Sequence, residues 1–220
     1  MSFSGVTITS KQMQEIEKNA ESIGFSKLLM MENAGRAVAD IVYELYDPIL
    51  NPTILAVCGP GNNGGDCITA ARHLSPRVKV VSILVGEEEK IRTDEARQQW
   101  EIARNSRMNI RIAPTKDALV SNSGQFFNAD IILDGLFGTG VRSPIGEPFR
   151  TAINLINQST ALKISIDLPS GMDPDTGESS DVVVNPDLTI VLHAMKRGLL
   201  KQQAKCGLMM VAPIGISLKY

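Results

Sequence analysis

The hydrophobic residues follow two different periodicities along the chain. Near the start, residues 9–19 and 27–45 place hydrophobic side chains at helical spacing, and Thr9 or Ser10 is a suitable N-cap for the first helix. From residue 53 onward, short continuous hydrophobic stretches alternate with amphipathic ones. The pattern predicts strands over 53–58, 78–85, 108–113, 129–133, 162–167, 188–192 and 208–211, and further helices over 66–74, 93–106, 116–121 and 149–157.

Continuous hydrophobic strands that alternate with helices are typical of a parallel sheet covered on both faces. We therefore predict an α/β fold, a Rossmann-like three-layer αβα sandwich with a mainly parallel central sheet and two extra N-terminal helices. No linker, repeat or low-complexity tract interrupts the sequence. Residues 1–220 are thus expected to form one domain, in which the helices of 1–48 pack on an α/β core of 53–216.

Sheets of this kind bind ligands beyond the C-terminal ends of their strands. Four polar, glycine-rich segments fall at predicted strand ends, namely residues 59–66, 134–144, 167–177 and 193–198. These segments are therefore expected to carry the catalytic and ligand-binding residues.

The composition argues against several classes of protein. There are 22 Lys and Arg residues against 24 Asp and Glu, a net charge of −2, which disfavours a nucleic-acid partner and favours a small molecule. Cys58, Cys67 and Cys206 have neither zinc-site nor disulfide-framework spacing, so we expect a reducing, cytoplasmic location. The sequence has no signal-peptide pattern and no hydrophobic stretch of membrane-spanning length, so no membrane association is expected.

The first glycine-rich segment contains a G-x-G-x-x-G pattern formed by Gly59, Gly61 and Gly64. It follows a predicted strand and opens a predicted helix, which favours binding of the phosphates of a dinucleotide-like ligand. Glu87 or Glu88 could then meet a ribose hydroxyl, as in an NAD-dependent dehydrogenase. The alternative is a glycine-rich turn that serves only close packing.

Asp66 ends the same segment, although a carboxylate beside phosphates would repel them. This suggests that the segment has a second role. The carboxamide oxygens of Asn62 and Asn63 could coordinate a hard cation, or the two side chains could simply cap a turn.

The second segment begins with Asp134 and contains Gly138, Gly140 and Arg142. Its glycines allow backbone amides to approach a ligand, and the arginine suits a phosphate. Asp134 is either a functional carboxylate or a turn cap.

The third segment places Asp167 at a strand end and Ser170 three residues later. A serine nucleophile is disfavoured, because the flanking pattern is not G-x-S-x-G and the two histidines are His73, expected on a helix surface, and His193, at a later strand end. We interpret Asp167 as an acid or base and Ser170 as a cation or substrate ligand, with turn formation as the alternative.

Asp66, Asp134 and Asp167 are therefore expected to converge at one edge of the sheet. Crowding and partial burial would raise their pKa values into a useful range for proton transfer. A monovalent cation would offset part of the negative charge.

Three motifs in this order, GPGNNGGD at 59–66, DGLFGTG at 134–140 and IDLPSGMD at 166–173, identify a resemblance. The chain resembles the NAD(P)HX epimerase family, also called the YjeF N-terminal domain. The resemblance covers nearly the whole sequence, including MENAG at 31–35, LTI at 188–190 and the Met195-Lys196 pair. It implies a single domain of this type over 1–220.

The family interconverts the R and S epimers of hydrated NADH and NADPH (NADHX and NADPHX). A separate ADP- or ATP-dependent dehydratase can then convert the S epimer back to the intact cofactor. The resemblance implies an isomerase of nicotinamide nucleotide repair that forms a homodimer and holds one K⁺ per subunit. The implied potassium ligands are Asn63, Asp134 and Ser170. The implied cofactor-binding residues are Asn62, Asn63, Gly64, Gly65, Asp66, Gly138, Thr139, Gly140, Val141, Arg142, Ser143, Pro144 and Asp167.

Inversion of a carbon that bears a hydroxyl next to the ring nitrogen can proceed by reversible loss of that hydroxyl. We expect Asp167 as the acid or base, then Asp66, then Lys196. Two features depart from the family pattern: Cys67 replaces a usual Gly, and His193-Ala-Met replaces Thr-Ala-Pro. Cys67 is expected to be a buried small hydrophobe, although it could narrow the substrate site. The alternative functions are a non-catalytic nucleotide- or protein-binding module and a dehydrogenase.

Overall fold

A computed structural model of the chain describes residues 7–46, 51–139 and 143–217. Within these residues the helices are α1 (Ser10–Ser22), α2 (Lys27–Leu45), α3 (Asn62–Leu74), α4 (Asp94–Asn105), α5 (Lys116–Ser121), α6 (Ser123–Phe127), α7 (Phe149–Gln158) and α8 (Arg197–Lys201). The strands are β1 (Thr7–Ile8), β2 (Thr53–Cys58), β3 (Lys79–Val85), β4 (Asn109–Ala113), β5 (Ile131–Gly135), β6 (Leu162–Ile166), β7 (Leu188–Leu192), β8 (Met195–Lys196) and β9 (Leu208–Ala212).

Seven parallel strands form the central sheet in the order β4-β3-β2-β5-β6-β7-β9. The chain enters this sheet at β2, builds outward to β4, and returns to β5 on the other side of β2. β2 and β5 therefore enclose the point where the strand order reverses, which is where open α/β sheets bind ligands. The predicted α/β class with a parallel sheet is confirmed.

Alternate side chains of β2 pack into two separate cores. Ile54 and Ala56 join one hydrophobic cluster with α2, α3 and α4, whereas Leu55 and Val57 join another with α5, α6 and α7. Because successive strand residues point to opposite faces, the sheet is buried on both sides and the fold has three layers.

The N-terminal helices are fixed by local capping and by close packing. The Thr9 side chain and Gln12 form a capping box at the start of α1, which confirms Thr9 as the N-cap. Helix α2 lies against α3 so closely that a Cβ at Gly35 would come within 2.4 Å of the Thr69 side chain. None of the helices in the described ranges is long and apolar enough to cross a membrane.

Helix α3 begins at Asn62, whereas the sequence predicted its start at Asp66. The polar and glycine residues of the first turn hide the helical pattern, because glycine and asparagine are weak helix formers. Strand β5 ends at Gly135 rather than at residue 133, so Asp134 lies inside the sheet, paired with Val57 and Ser165. The short elements α6, α8, β1 and β8 were not predicted, because so few residues leave no periodicity to detect.

Candidate functional site

A cavity of about 340 Å³ lies beyond the C-terminal ends of the central strands. Its walls come from α1 and α2, from the first turns of α3 and α4, from the segments that follow β5, β6 and β9, and from the ends of β7 and β8. Within the described residues it is lined by Ser10, Met13, Gln14, Glu17, Lys27, Met30, Met31, Ala34, Asn62, Asn63, Asp66, Glu95, Gly138, Thr139, Asp167, Leu192, Lys196 and Ile214. The volume is at the lower end of the roughly 300–1,000 Å³ typical of small-molecule sites.

The glycines of the first segment allow close packing. A Cβ at Gly59 would come within 1.9 Å of the Leu136 carbonyl oxygen, and one at Gly64 within 1.8 Å of the Gly59 carbonyl oxygen. Gly61 faces open space instead. Gly59 and Gly64 therefore have no room for a side chain, and the tight turn brings the first turn of α3 to the edge of the cavity.

Asp134 is fully buried in β5 and accepts hydrogen bonds on both carboxylate oxygens. Oδ1 accepts from the Ser170 hydroxyl at 2.6 Å and from the Leu136 amide at 3.3 Å. Oδ2 accepts from the Ser165 hydroxyl at 2.7 Å and from the Ser170 amide at 3.0 Å. Burial raises the pKa of Asp134, and these hydrogen bonds oppose the rise. The structure thus joins Asp134 and Ser170, two of the three residues that the family resemblance implies as ligands of one ion.

Asn63 connects this cluster to the cavity. Its Nδ2 donates to the Phe137 carbonyl oxygen at 2.8 Å, and the Phe137 amide donates to the Ser170 hydroxyl at 2.9 Å. The Asn63 Oδ1 atom is buried and has no hydrogen-bond partner among the described residues. A buried oxygen without a donor is costly, and a cation would satisfy it.

The oxygen atoms of Asn63, Phe137, Asp134 and Ser170 form a candidate cation site with a single carboxylate. In the part of the chain that the structure describes, no group of three or more His, Cys, Asp or Glu side chains could hold a metal ion. A site built on one carboxylate and neutral oxygens suits a hard ion of low charge better than a transition metal.

Asp167 follows β6 in a backbone conformation that side-chain-bearing residues rarely adopt, with φ of +68°. Its carboxylate accepts hydrogen bonds from the Leu192 amide at 3.1 Å and from Lys196 Nζ. Lys196 is almost completely buried and also donates to the Leu192 carbonyl oxygen at 2.7 Å. The strained position of Asp167 therefore aims a lysine-paired carboxylate at the cavity.

Asp66 lines the cavity from α3. It lies in the second turn of that helix rather than at its first residue, because α3 starts at Asn62, one turn earlier than predicted. Burial raises its pKa well above the usual range, and the negative charges of Asp167 and Glu17 raise it further. The predicted convergence is thus confirmed for Asp66 and Asp167, which share the cavity, while Asp134 lies buried in the sheet.

Some predicted residues do not line the described cavity. Gly64 and Gly65 are buried, and Ser143 and Pro144 are exposed and do not contribute to its walls. The predicted residues Gly140, Val141 and Arg142 lie outside the described residues.

The acids expected to meet a ribose are elsewhere. Glu87 pairs with Lys90, Glu88 pairs with Arg104, and neither carboxylate lines the cavity. The prediction that one of them meets a ribose finds no support in this cavity.

The two departures from the family pattern also lie away from the cavity walls. Cys67 is fully buried in the core, which confirms its role as a small hydrophobe, and it packs against Gly135. His193 is half-buried, with φ of +64°, and does not line the cavity.

Sequence reasoning missed Glu17 and the Phe137 carbonyl group. Glu17 lies on α1, four residues after Met13, and both line the cavity. Their spacing shows that they share a helix face, but not that this face covers the site. A backbone carbonyl leaves no trace in the side-chain sequence.

The fold and the cavity define a Rossmann-type α/β protein with a ligand site at the switch point of its sheet. The family model described as "YjeF-related protein N-terminus" matches residues 27–198. The chain therefore belongs to this family, and the resemblance seen in the three motifs is confirmed.

Two archaeal relatives named NAD(P)H-hydrate epimerase match the chain along nearly their whole lengths. That of Cenarchaeum symbiosum is 42% identical over 214 residues, covering 95% of each chain. That of Nitrosopumilus maritimus is 38% identical over 211 residues, again 95% of each. The bifunctional NAD(P)H-hydrate repair enzyme Nnr of Pyrobaculum aerophilum is 41% identical over 96% of this chain, which spans 42% of that protein.

The crystal structure of the yeast protein ynu0 resembles this fold with a TM-score of 0.79. The match covers 94% of this chain and 87% of the yeast chain at 24% sequence identity. It supports the fold alone.

Proposed function

We propose that this protein is an NAD(P)H-hydrate epimerase, an isomerase that interconverts the R and S epimers of NADHX and NADPHX. The observation that carries the proposal is the meeting of Asp66 with the Asp167–Lys196 pair in one cavity at the switch point. The full-length match to relatives of that name supports the same substrate class.

Asp66 is proposed as the proton donor. Burial raises its pKa, which favours the protonated carboxyl group, and its proton can leave with the substrate hydroxyl as water. The cation that remains on the ring is stabilised by nearby negative charge, which Asp167 supplies while Lys196 holds its carboxylate in place. This order differs from the sequence-based expectation, which ranked Asp167 first.

The remaining contacts follow the family resemblance. Asn62 and Asn63 in the first turn of α3 would face the dinucleotide together with Gly138 and Thr139, and the buried Gly64 and Gly65 behind them would allow the backbone to approach it. The free backbone amides at a helix N-terminus favour a phosphate group. Gly140, Val141, Arg142, Ser143 and Pro144 are proposed to complete this phosphate-binding segment.

We also propose one K⁺ per subunit, held by Asn63, Asp134 and Ser170 together with the Phe137 carbonyl group. The unpartnered Asn63 Oδ1 and the all-oxygen donor set support a hard cation. When bound, the ion would offset the buried negative charge of Asp134.

Thermal unfolding in KCl and in choline chloride of equal ionic strength tests this site. Potassium should raise the midpoint in the unaltered protein, and Asn63→Ala should abolish the difference. Asn62→Ala, which alters the exposed neighbour, should retain it. Equal midpoints in both salts for the unaltered protein would argue against the ion.

The chain is proposed to act with a separate ADP- or ATP-dependent dehydratase that consumes the S epimer. The relatives named as bifunctional repair enzymes support this pairing. A homodimer and a cytoplasmic location are also proposed. The three buried free thiols suit a reducing compartment, and sedimentation of the purified chain would test the dimer.

A coupled assay tests the function. An S-specific dehydratase with its nucleotide leaves the R epimer of NADPHX unreacted. Addition of this protein should convert that R epimer to the S epimer, which the dehydratase then consumes. Asp167→Asn should slow the disappearance of the R epimer about 100-fold or more, in the range of a lost electrostatic contact in an active site. Reduction of NADP without any effect on the epimer ratio would favour a dehydrogenase instead. Binding without either reaction would favour a non-catalytic module.

A further inference from the structure

Glu17 is a cavity carboxyl group that none of the three family motifs contains. It lies on α1, lines the cavity, and interacts electrostatically with Asp66, Asp167 and Lys196. Asp66 lies on α3, a different wall. The cavity therefore offers a second carboxyl group from another direction.

The position of α1 is fixed to the same loops that carry the charged pair. Both carboxylate oxygens of Asp175 accept hydrogen bonds from Ser10, one from its amide at 2.8 Å and one from its hydroxyl at 2.7 Å. Strand β1 pairs with β8, so that Ile8 lies opposite Lys196 in the ladder. Ile16 packs with Ile8 and Ala194 in a small hydrophobic cluster. These contacts fix α1 against the elements that carry Asp167 and Lys196, and they keep Glu17 at the wall of the cavity.

Inversion at a carbon imposes a requirement that one carboxyl group does not meet. The hydroxyl must leave from one face of the ring, and a water molecule must return to the opposite face. Proton transfer needs a group within hydrogen-bond reach on each face. Two carboxyl groups on different walls satisfy this condition.

We propose that Glu17 is the second acid–base residue of the site, serving the ring face turned toward α1, while Asp66 serves the face turned toward α3. The inference rests on the proposed epimerase function. In one direction, Asp66 gives a proton to the hydroxyl, the carbon–oxygen bond breaks, and water leaves an iminium ion. Water then adds to the opposite face and gives a proton to Glu17. The reverse reaction exchanges the two roles, no water is consumed overall, and proton exchange with solvent returns Asp66 and Glu17 to their starting states between turnovers.

The electrostatic surroundings agree with this assignment. Burial, followed by the charge of Asp167, raises the pKa of Glu17, while Lys196 and Lys27 act in the opposite direction. The other charged groups that face the two carboxyls are Glu21 toward Glu17 and Glu95 toward Asp66. Each carboxyl group therefore holds its proton more strongly than a fully solvated carboxyl group does.

Glu17→Gln separates inversion from hydroxyl exchange when the reaction is run in water labelled with heavy oxygen. The variant should invert the carbon about 100-fold or more slowly, as expected for a lost acid–base group. It should still exchange the hydroxyl oxygen of one epimer with retention of configuration, because Asp66 continues to serve its own face. Glu17→Asp should recover part of the inversion rate, and NADP affinity should change little.

Glu15→Gln is the matched control, because Glu15 is exposed on the same helix. The inference is wrong if Glu17→Gln inverts within about threefold of the unaltered rate, or if exchange and inversion fall equally for both epimers. If the unaltered protein itself produces no inversion, the proposed function fails first. If it inverts and Glu17→Gln is equally active, only the role of Glu17 fails.

Discussion

Lys196 Nζ donates hydrogen bonds to both the Asp167 carboxylate and the Leu192 carbonyl oxygen. Because the lysine is almost completely buried, removal of one partner leaves the other charge poorly solvated. Lys196→Met should therefore lower the free energy of unfolding by about 3 kcal/mol. Adding Asp167→Asn to Lys196→Met should recover part of this loss in urea unfolding. Additive losses in the double variant would show that the two charges do not depend on each other.

Asp66 should make the fold less stable as the pH rises. Its pKa in the folded protein is raised, so its contribution is fully present below the unfolded value of about 4 and is lost as the pH rises through the folded value. Asp66→Asn should thus stabilise the protein at about pH 7 more than at about pH 4. The measurement is urea unfolding at both pH values, with Glu101→Gln on the exposed side of α4 as control. A pH-independent effect of Asp66→Asn would contradict the raised pKa.

The fold could be predicted because its strands are continuous and hydrophobic. β2 and β7 match their predicted bounds, and the alternation with helices dictates a parallel sheet. The start of α3 could not be predicted in the same way. The Asn and Gly residues of its first turn have low helix propensity and are placed there by tertiary contacts, such as Gly64 against the Gly59 carbonyl group.

The candidate site was only partly visible in the sequence. Strand ends of a parallel sheet meet at one edge, so Asp66 and Asp167 could be brought together by topology alone. Glu17 could not, because its contribution depends on how α1 is oriented by Ser10 and Asp175. The expectation that Glu87 or Glu88 meets a ribose shows the opposite error, since both side chains pair with local basic residues and neither lines the cavity.

The contact between Ser10 and Asp175 should stabilise the folded position of α1. Its two hydrogen bonds also satisfy an amide at the helix N-terminus, and hydrogen bonds to a charged group are worth about 2 kcal/mol. Asp175→Ala should increase amide hydrogen exchange in α1 and lower epimerase turnover about tenfold. Ser10→Ala keeps the amide hydrogen bond and should have a smaller effect. Exchange in α1 that is unchanged by Asp175→Ala would contradict this role.

Gly135 and Cys67 pack so closely that neither position has spare volume. A Cβ at Gly135 would come within 2.3 Å of the Cys67 Cβ and 2.9 Å of the Asn63 carbonyl oxygen. Gly135→Ala should therefore destabilise the protein by about 1–3 kcal/mol through overpacking.

Cys67→Gly should relieve part of that cost in the double variant, because it removes the nearer of the two contacts. Gly146→Ala is the control, since a Cβ there would meet open space. Losses that simply add in the double variant would show that Cys67 is not the obstacle. The unaltered protein, the two single variants, the double variant and the control can be compared by urea unfolding.

The most direct test of the central claim follows a single epimer without any coupling enzyme. The pure R epimer of NADPHX is incubated with the protein in potassium buffer, and the R and S forms are separated chromatographically over time. The unaltered protein should bring the two epimers to equilibrium far faster than the buffer does, and Asp66→Asn should slow that approach about 100-fold or more. An unchanged, uncatalysed rate with folded protein that still binds NADP would contradict the epimerase assignment.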